Sequence, residues 1–195
     1  MTPLLLARYH REAQVVGADL DEALVARNET LVRQAGIRNL RFTRLDLREP
    51  SGLDPQDVVI LADVVANRPG DDDLIRGASR IVRPGGRLLI HTATRHPPRT
   101  APSLTDTPDL LGAGYAEGEL RRALEAVGAR EVRFRRTYGR SARLAGRVLS
   151  AIRPKGRAFG TLFFPVSLLI ALPDLFLSNR DGDGILAIAL MGEDA

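Results

Sequence analysis

The chain contains no cysteine, so it can form neither a disulfide framework nor a thiolate metal site. Its three histidines, His10, His91 and His96, show no ligand spacing for zinc, and no metal is expected. The opening residues MTPLLLAR lack a basic stretch ahead of their very short apolar run, which does not suit a signal peptide. No uncharged run is long enough to span a bilayer. The longest, 158–173, has 16 residues against the ~20 a spanning helix needs, and Pro165 interrupts it. A cytoplasmic protein, peripheral to the membrane at most, fits these absences. Lysine is nearly absent too: Lys155 is the only one, and arginine supplies every other side-chain cation apart from histidine.

What is present suits a soluble globular protein. The 195 residues are 44% apolar and 27% charged, enough for one domain with a sizeable core. The formal charge of +4 is unevenly spread, because residues 130–157 carry nine arginines and Lys155 against Glu131, leaving −5 for the rest. Such a block either meets phosphates of lipid or nucleic acid or forms a solvated face.

Strand and helix patterns alternate along the first two thirds, which argues for an open parallel sheet covered by helices. A helix over 2–12 precedes a strand at 15–19, and Asp21 can cap a helix carrying Ala23, Leu24, Ala26, Leu31 and Val32. A strand at 40–46 alternates, while 57–63 is a continuous apolar run of the kind buried on both faces of a parallel sheet. A helix over 71–82, a turn at Arg83-Pro84-Gly85-Gly86 and a strand at 87–92 follow. Beyond a long loop at 93–114 come a helix at 116–127, a strand at 131–137, a basic helix at 141–152, an apolar stretch at 158–177 and a closing strand at 184–190. The expected organisation is a core at 1–137, a basic-apolar helical insert at 138–180, and a closing strand and tail at 181–195.

Three successive strands end in acid, at Asp19, Asp46 and Asp63. Ligands of open α/β sheets bind beyond the carboxyl ends of the strands, where such acids can hold ribose hydroxyls, an adenine amino group or a sulfonium. Asp can also simply cap the next helix. With their order and spacing, VVGADLDEALVARN, RFTRLDLREP, DVVILADVVANRP and IVRPGGRLLIHTAT resemble the class I S-adenosylmethionine-dependent methyltransferases, especially the small-molecule group related to quinone biosynthesis. The resemblance covers residues 1–137 and returns in the last strand. It implies a Rossmann-like, mostly parallel open sheet with helices on both faces, truncated at its amino-terminal end. It also implies that Asp19 binds ribose with Leu20 packing on adenine, that Asp46 and Leu47 meet the adenine edge, and that Asp63 and Val64 flank the methionine half. The family's first strand and its glycine-rich turn have no counterpart ahead of PLLLARYHREAQ.

Transfer of an activated methyl depends mainly on positioning, although an oxygen acceptor can need a general base. His91 and His96 fall near the expected acceptor, and His96 on its loop is the catalytic candidate. The apolar insert suits a hydrophobic acceptor such as a quinone, isoprenoid or lipid. Residues 140–177 also suit a peripheral contact with an anionic membrane, a homodimer contact, or plain core packing. The rival to an enzyme is a catalytically inactive methyltransferase-like module that binds membrane or protein. A nucleic-acid substrate is disfavoured, since no Asn-Pro-Pro-aromatic motif for a flipped base occurs.

Overall fold

A computed structural model describes residues 2–95, 114–139 and 181–192, together with residues 141, 142, 144, 145, 148, 169, 170 and 172. The chain divides into two compact units, Met1–Leu53 and Asp54–Ala195.

The first unit runs α1 (Thr2–Tyr9), β1 (Val15–Asp19), α2 (Glu22–Gln34) and β2 (Leu40–Arg44). β1 and β2 pair in parallel, in register from Val15 with Leu40 to Asp19 with Arg44. Asp21 caps α2, its carboxylate accepting from the Ala23 and Leu24 amides at 2.8 and 3.2 Å. The helix stops where Gly36 takes a φ of +64°, a turn that costs glycine little. α1 ends three residues short of the expected helix. The Asn39 amide collects the Ala7, His10 and Ala13 carbonyls at 2.9–3.1 Å, binding polar groups that a longer helix would have paired. The core of this unit is Ala7, Val32 and Leu40, flanked by Leu4, Val15, Ile37 and Phe42.

The second unit runs β3 (Gln56–Ala62), α3 (Asp71–Ile81), β4 (Val82–Ala93), α4 (Glu117–Glu125), β5 (Ala129–Thr137) and β6 (Gly184–Met191). Its sheet has the order β3-β4-β6-β5. β3 and β4 are parallel, as a βαβ unit requires, whereas β6 lies antiparallel between β4 and β5. Ile185, Ala187 and Ala189 of β6 and Leu88 and Ile90 of β4 are fully buried, and Ile75, Leu120 and Leu124 bring the helices onto the sheet. Burial of each large apolar side chain contributes about 1.5–3 kcal/mol.

Two local expectations change. The turn at Arg83–Gly86 lies inside β4 as an irregularity: Gln56 pairs with Val82 but Val58 pairs with Arg87, and Gly85 turns at φ +73°. The apolar run of β3 is not buried on both faces. Among the described residues β3 pairs with β4 alone; Val58 and Ile60 are 45% and 39% exposed, and Leu61 is the one buried residue of the strand. The basic helix at 141–152 and the apolar stretch at 158–177 lie largely outside the described residues, as does the loop at 96–113. Among the described residues no helix is long and apolar enough to cross a membrane.

Candidate functional site

In the first unit, the strand register decides which acids share a rim. Asp19 is the last residue of β1 opposite Arg44, the last of β2, and the Leu45 amide donates to the Asp19 carbonyl at 3.0 Å. Asp46 follows directly, so both carboxylates stand at the carboxyl end of one parallel pair. Each uses one oxygen locally: Asp19 accepts from the Asp21 amide at 3.0 Å and Asp46 from the Arg48 amide at 2.9 Å. These bonds fix the carboxylates in short turns, and both residues are exposed. Leu20 is 53% exposed beside them, while Leu47 is half-buried. Carboxylate acceptors beside an uncovered apolar side chain can take vicinal hydroxyls and the face of a heteroaromatic ring. The residues present therefore fit the nucleoside part of S-adenosylmethionine.

The second unit places its own group at the corresponding strand ends. Asp63 follows β3 with φ +57°, and its amide donates to the His91 carbonyl at 2.9 Å. Its carboxylate also lies 3.0 Å from His91 Nδ1, and His91 Nε2 lies 3.0 Å from Thr137 Oγ1. Tyr138, at φ +57°, sets its ring perpendicular to the imidazole at 5.2 Å between centroids. Left-handed backbone at a tyrosine costs about 1–2 kcal/mol, so surrounding contacts must hold it. Burial raises the Tyr138 phenol above its usual range, and the Asp63 charge adds to the shift. Gly184 completes the arrangement. A Cβ there would stand 2.2 Å from Thr137 Oγ1, 2.8 Å from Tyr138 Cδ2 and 3.2 Å from His91 Nε2. Only glycine lets these groups close together. Val64 is 47% exposed next to Asp63.

A buried carboxylate anchors the loop behind Asp63. Asp71 accepts from the Ala66 and Arg68 amides at 2.7 and 3.1 Å and from the Tyr115 hydroxyl at 3.3 Å. The Tyr115 phenol is pushed far above its ordinary range, first by burial and then by the neighbouring Asp71 charge. Between α3 and α4 lies an open cleft of about 400 Å³ lined by Asn67, Ile75, Arg76, Tyr115, Glu119 and Arg122 among others. None of the residues expected to bind a cofactor lines it.

Residue by residue, Asp19, Leu20, Asp46 and Leu47 share the rim of the first unit, and Asp63 and Val64 lie at that of the second. His96 lies outside the described residues. Sequence reasoning ranked His91 below it because His96 falls on a loop. Thr137 and Tyr138 were missed altogether, and no local pattern marks them. Among the described residues no cluster of metal-ligating side chains occurs.

Comparison with known proteins bears on the fold. The family described as a methyltransferase domain matches residues 1–86. The ubiquinone/menaquinone biosynthesis C-methyltransferase of Idiomarina loihiensis is 32% identical over 92 residues, which are 46% of this chain and 37% of that protein. A ubiquinone biosynthesis O-methyltransferase of Acinetobacter baumannii is 25% identical over 89 residues, 45% of this chain and 38% of the relative. The chain thus spans little more than a third of the curated relatives it matches. The structure of a phosphoethanolamine N-methyltransferase from Haemonchus contortus superposes with a TM-score of 0.68 over 97% of this chain and 46% of that one, at 16% identity. The fold is therefore the Rossmann-like α/β fold of these methyltransferases.

Proposed function

We propose, from the premise that residues 1–86 belong to the methyltransferase-domain family, that this chain serves an S-adenosylmethionine-dependent methyltransferase acting on a hydrophobic small molecule. The observation that carries the reading is the shared rim of Asp19 and Asp46 with the exposed Leu20 between them in sequence. Asp19 would hold the ribose hydroxyls, Leu20 would cover one face of the adenine, and Asp46 with Leu47 would meet its edge. The resemblance to the family, rather than the placement of the second unit, assigns Asp63 and Val64 to the methionine half. The cofactor, when bound, supplies an electrophilic methyl already activated by its positive sulfur. The chain's own residues then have to orient the acceptor, exclude water and, for an acceptor that carries a hydroxyl, take up a proton.

A hydrophobic acceptor of the quinone, isoprenoid or lipid kind is supported by the two curated relatives, whose names place them in quinone biosynthesis, and by the apolar composition of residues 158–177. The test is calorimetric titration of the chain with S-adenosylmethionine, with methyl transfer to a short-chain hydroquinone followed in parallel. Asp19→Ala is expected to weaken binding by about 1.5–3 kcal/mol, the loss of hydrogen bonds to a charged acceptor. Unchanged affinity in Asp19→Ala would overturn the ribose assignment.

A further inference from the structure

We infer that Asp63, His91 and Thr137 form a proton relay that deprotonates a hydroxyl-bearing acceptor, with Thr137 Oγ1 as the atom that meets the acceptor. The inference rests on the methyltransferase reading and narrows it to oxygen acceptors, such as a phenol or enol. Its basis is a chain of two 3.0 Å contacts, Asp63 Oδ1 to His91 Nδ1 and His91 Nε2 to Thr137 Oγ1, between residues that lie 28 and 46 positions apart in sequence. An ionised Asp63 accepts only, so Nδ1 carries the imidazole proton and donates to it. Nε2 is then unprotonated and accepts the Thr137 hydroxyl. The Thr137 oxygen keeps its lone pairs for a third donor, and nothing in the triad can serve as that donor.

Position and build both favour a working group over a stitch in the sheet. The carboxyl ends of β3 and β4, the end of β5 and the start of β6 meet at this point, as the pairing of Ala62 with His91, Ala93 with Gly184 and Thr137 with Gly184 shows. Ligands of such sheets bind at that edge. The Asp63 side chain is 44% exposed and the His91 side chain 17%, and Thr137 is half-buried, so the imidazole is the most sheltered of the three and the Thr137 end is not closed off. Two left-handed residues, Asp63 and Tyr138, flank the imidazole, and Gly184 leaves the space that any side chain would fill. Among the described residues, the titratable groups seen in contact with the imidazole are Asp63 from the loop after β3 and Tyr138 from the residue after β5; β6 presents Gly184 to it. Burial and Asp63 keep the Tyr138 phenol protonated, so it shapes the site and takes no proton.

The acceptor O–H bond breaks and its oxygen keeps the electron pair. Thr137 Oγ1 receives that proton as its own proton passes to His91 Nε2. The imidazolium then donates from both nitrogens, and the Asp63 carboxylate offsets its charge. The acceptor leaves the step as an oxyanion, the nucleophile that a methyl transfer to oxygen requires.

The test uses 4-nitrophenol, whose ionisation is visible by absorbance, titrated into the full chain without cofactor. Bound nitrophenol should ionise about one pH unit lower than free nitrophenol, a tenfold shift. Thr137→Ser should keep the shift. Thr137→Val and His91→Phe should return ionisation to the free value with the probe still bound. Nitrogen NMR of the His91 ring gives a second measurement that survives if a variant fails to fold, and Nδ1 should carry the proton near neutral pH. A wild-type chain that does not bind nitrophenol, binds it without the shift, or protonates His91 on Nε2 overturns the relay. Methyl transfer to a hydroquinone separates the two readings. Transfer without the shift keeps the methyltransferase and refutes the relay, whereas the shift without transfer does the reverse.

Discussion

Replacing Gly17 with alanine should destabilise the first unit, although the usual effect of glycine to alanine in a strand is the opposite. Gly17 is buried in β1 and pairs with Phe42 of β2, and an added Cβ would lie 2.3, 2.5 and 2.9 Å from three ring atoms of Phe42. Those distances are far inside van der Waals contact, so the ring must move. It has little room, because Phe42 packs against the Ala7, Val32 and Leu40 core and its own amide donates to the Glu29 carboxylate. Overpacking of this kind costs about 1–3 kcal/mol. The alanine recovers about 0.5–1 kcal/mol, since glycine loses the most backbone freedom on folding. The net expectation is a loss of about 1 kcal/mol, within a range of roughly 0–2.5 kcal/mol, read as a lower urea midpoint with an unchanged slope. Phe42→Leu alone should also destabilise, by removing buried ring surface. In the double variant the two effects should fall short of their sum by at least about 0.5 kcal/mol, because the shortened side chain frees the space the new methyl needs. Equal or higher stability for Gly17→Ala, or strict additivity with Phe42→Leu, would refute the steric account. Because Gly17 stands two residues before Asp19, binding of S-adenosylmethionine should weaken together with stability.

Two further predictions concern pH and lipid. The folded-state Tyr115 phenol ionises well above 10.0, its ordinary value, so its contribution to stability is fully present below pH 10. Above pH 10 the unfolded chain loses that proton while the folded chain retains it, and stability should fall as pH rises; Tyr115→Phe should flatten this part of the alkaline melting curve. The chain should also co-sediment with vesicles containing anionic lipid through residues 140–177, each arginine near the surface adding about 1 kcal/mol that salt weakens. Replacing Arg143, Arg147 and Arg153 with Glu should abolish the salt-dependent part, and Phe163→Ser with Phe164→Ser should weaken binding to neutral vesicles as well; a wild-type chain left in the supernatant refutes the contact.

How much was legible in the sequence follows from the range of the forces involved. The elements, their order and the acids at Asp19, Asp46 and Asp63 could be read directly, because periodicity, helix caps and turn glycines act over a few residues. Asp21 capping α2 and Gly36 ending it are of this kind. The resemblance to methyltransferases was legible for the same reason, since it rests on strand-end motifs of about ten residues. Strand neighbours were not legible. An apolar run such as DVVILA reads alike at the centre and at an edge of a sheet; among the described residues β3 pairs with β4 alone, and Val58 and Ile60 are exposed. His91 shows the same division most sharply. By itself it is a strand histidine with no motif. Tertiary structure supplies Asp63 on one ring nitrogen and Thr137 on the other, through the antiparallel insertion of β6 between β4 and β5 that brings the two strand ends together at Gly184. Contacts between residues 46 apart depend on which strands lie side by side, and that is set by packing of the whole sheet rather than by any local sequence preference.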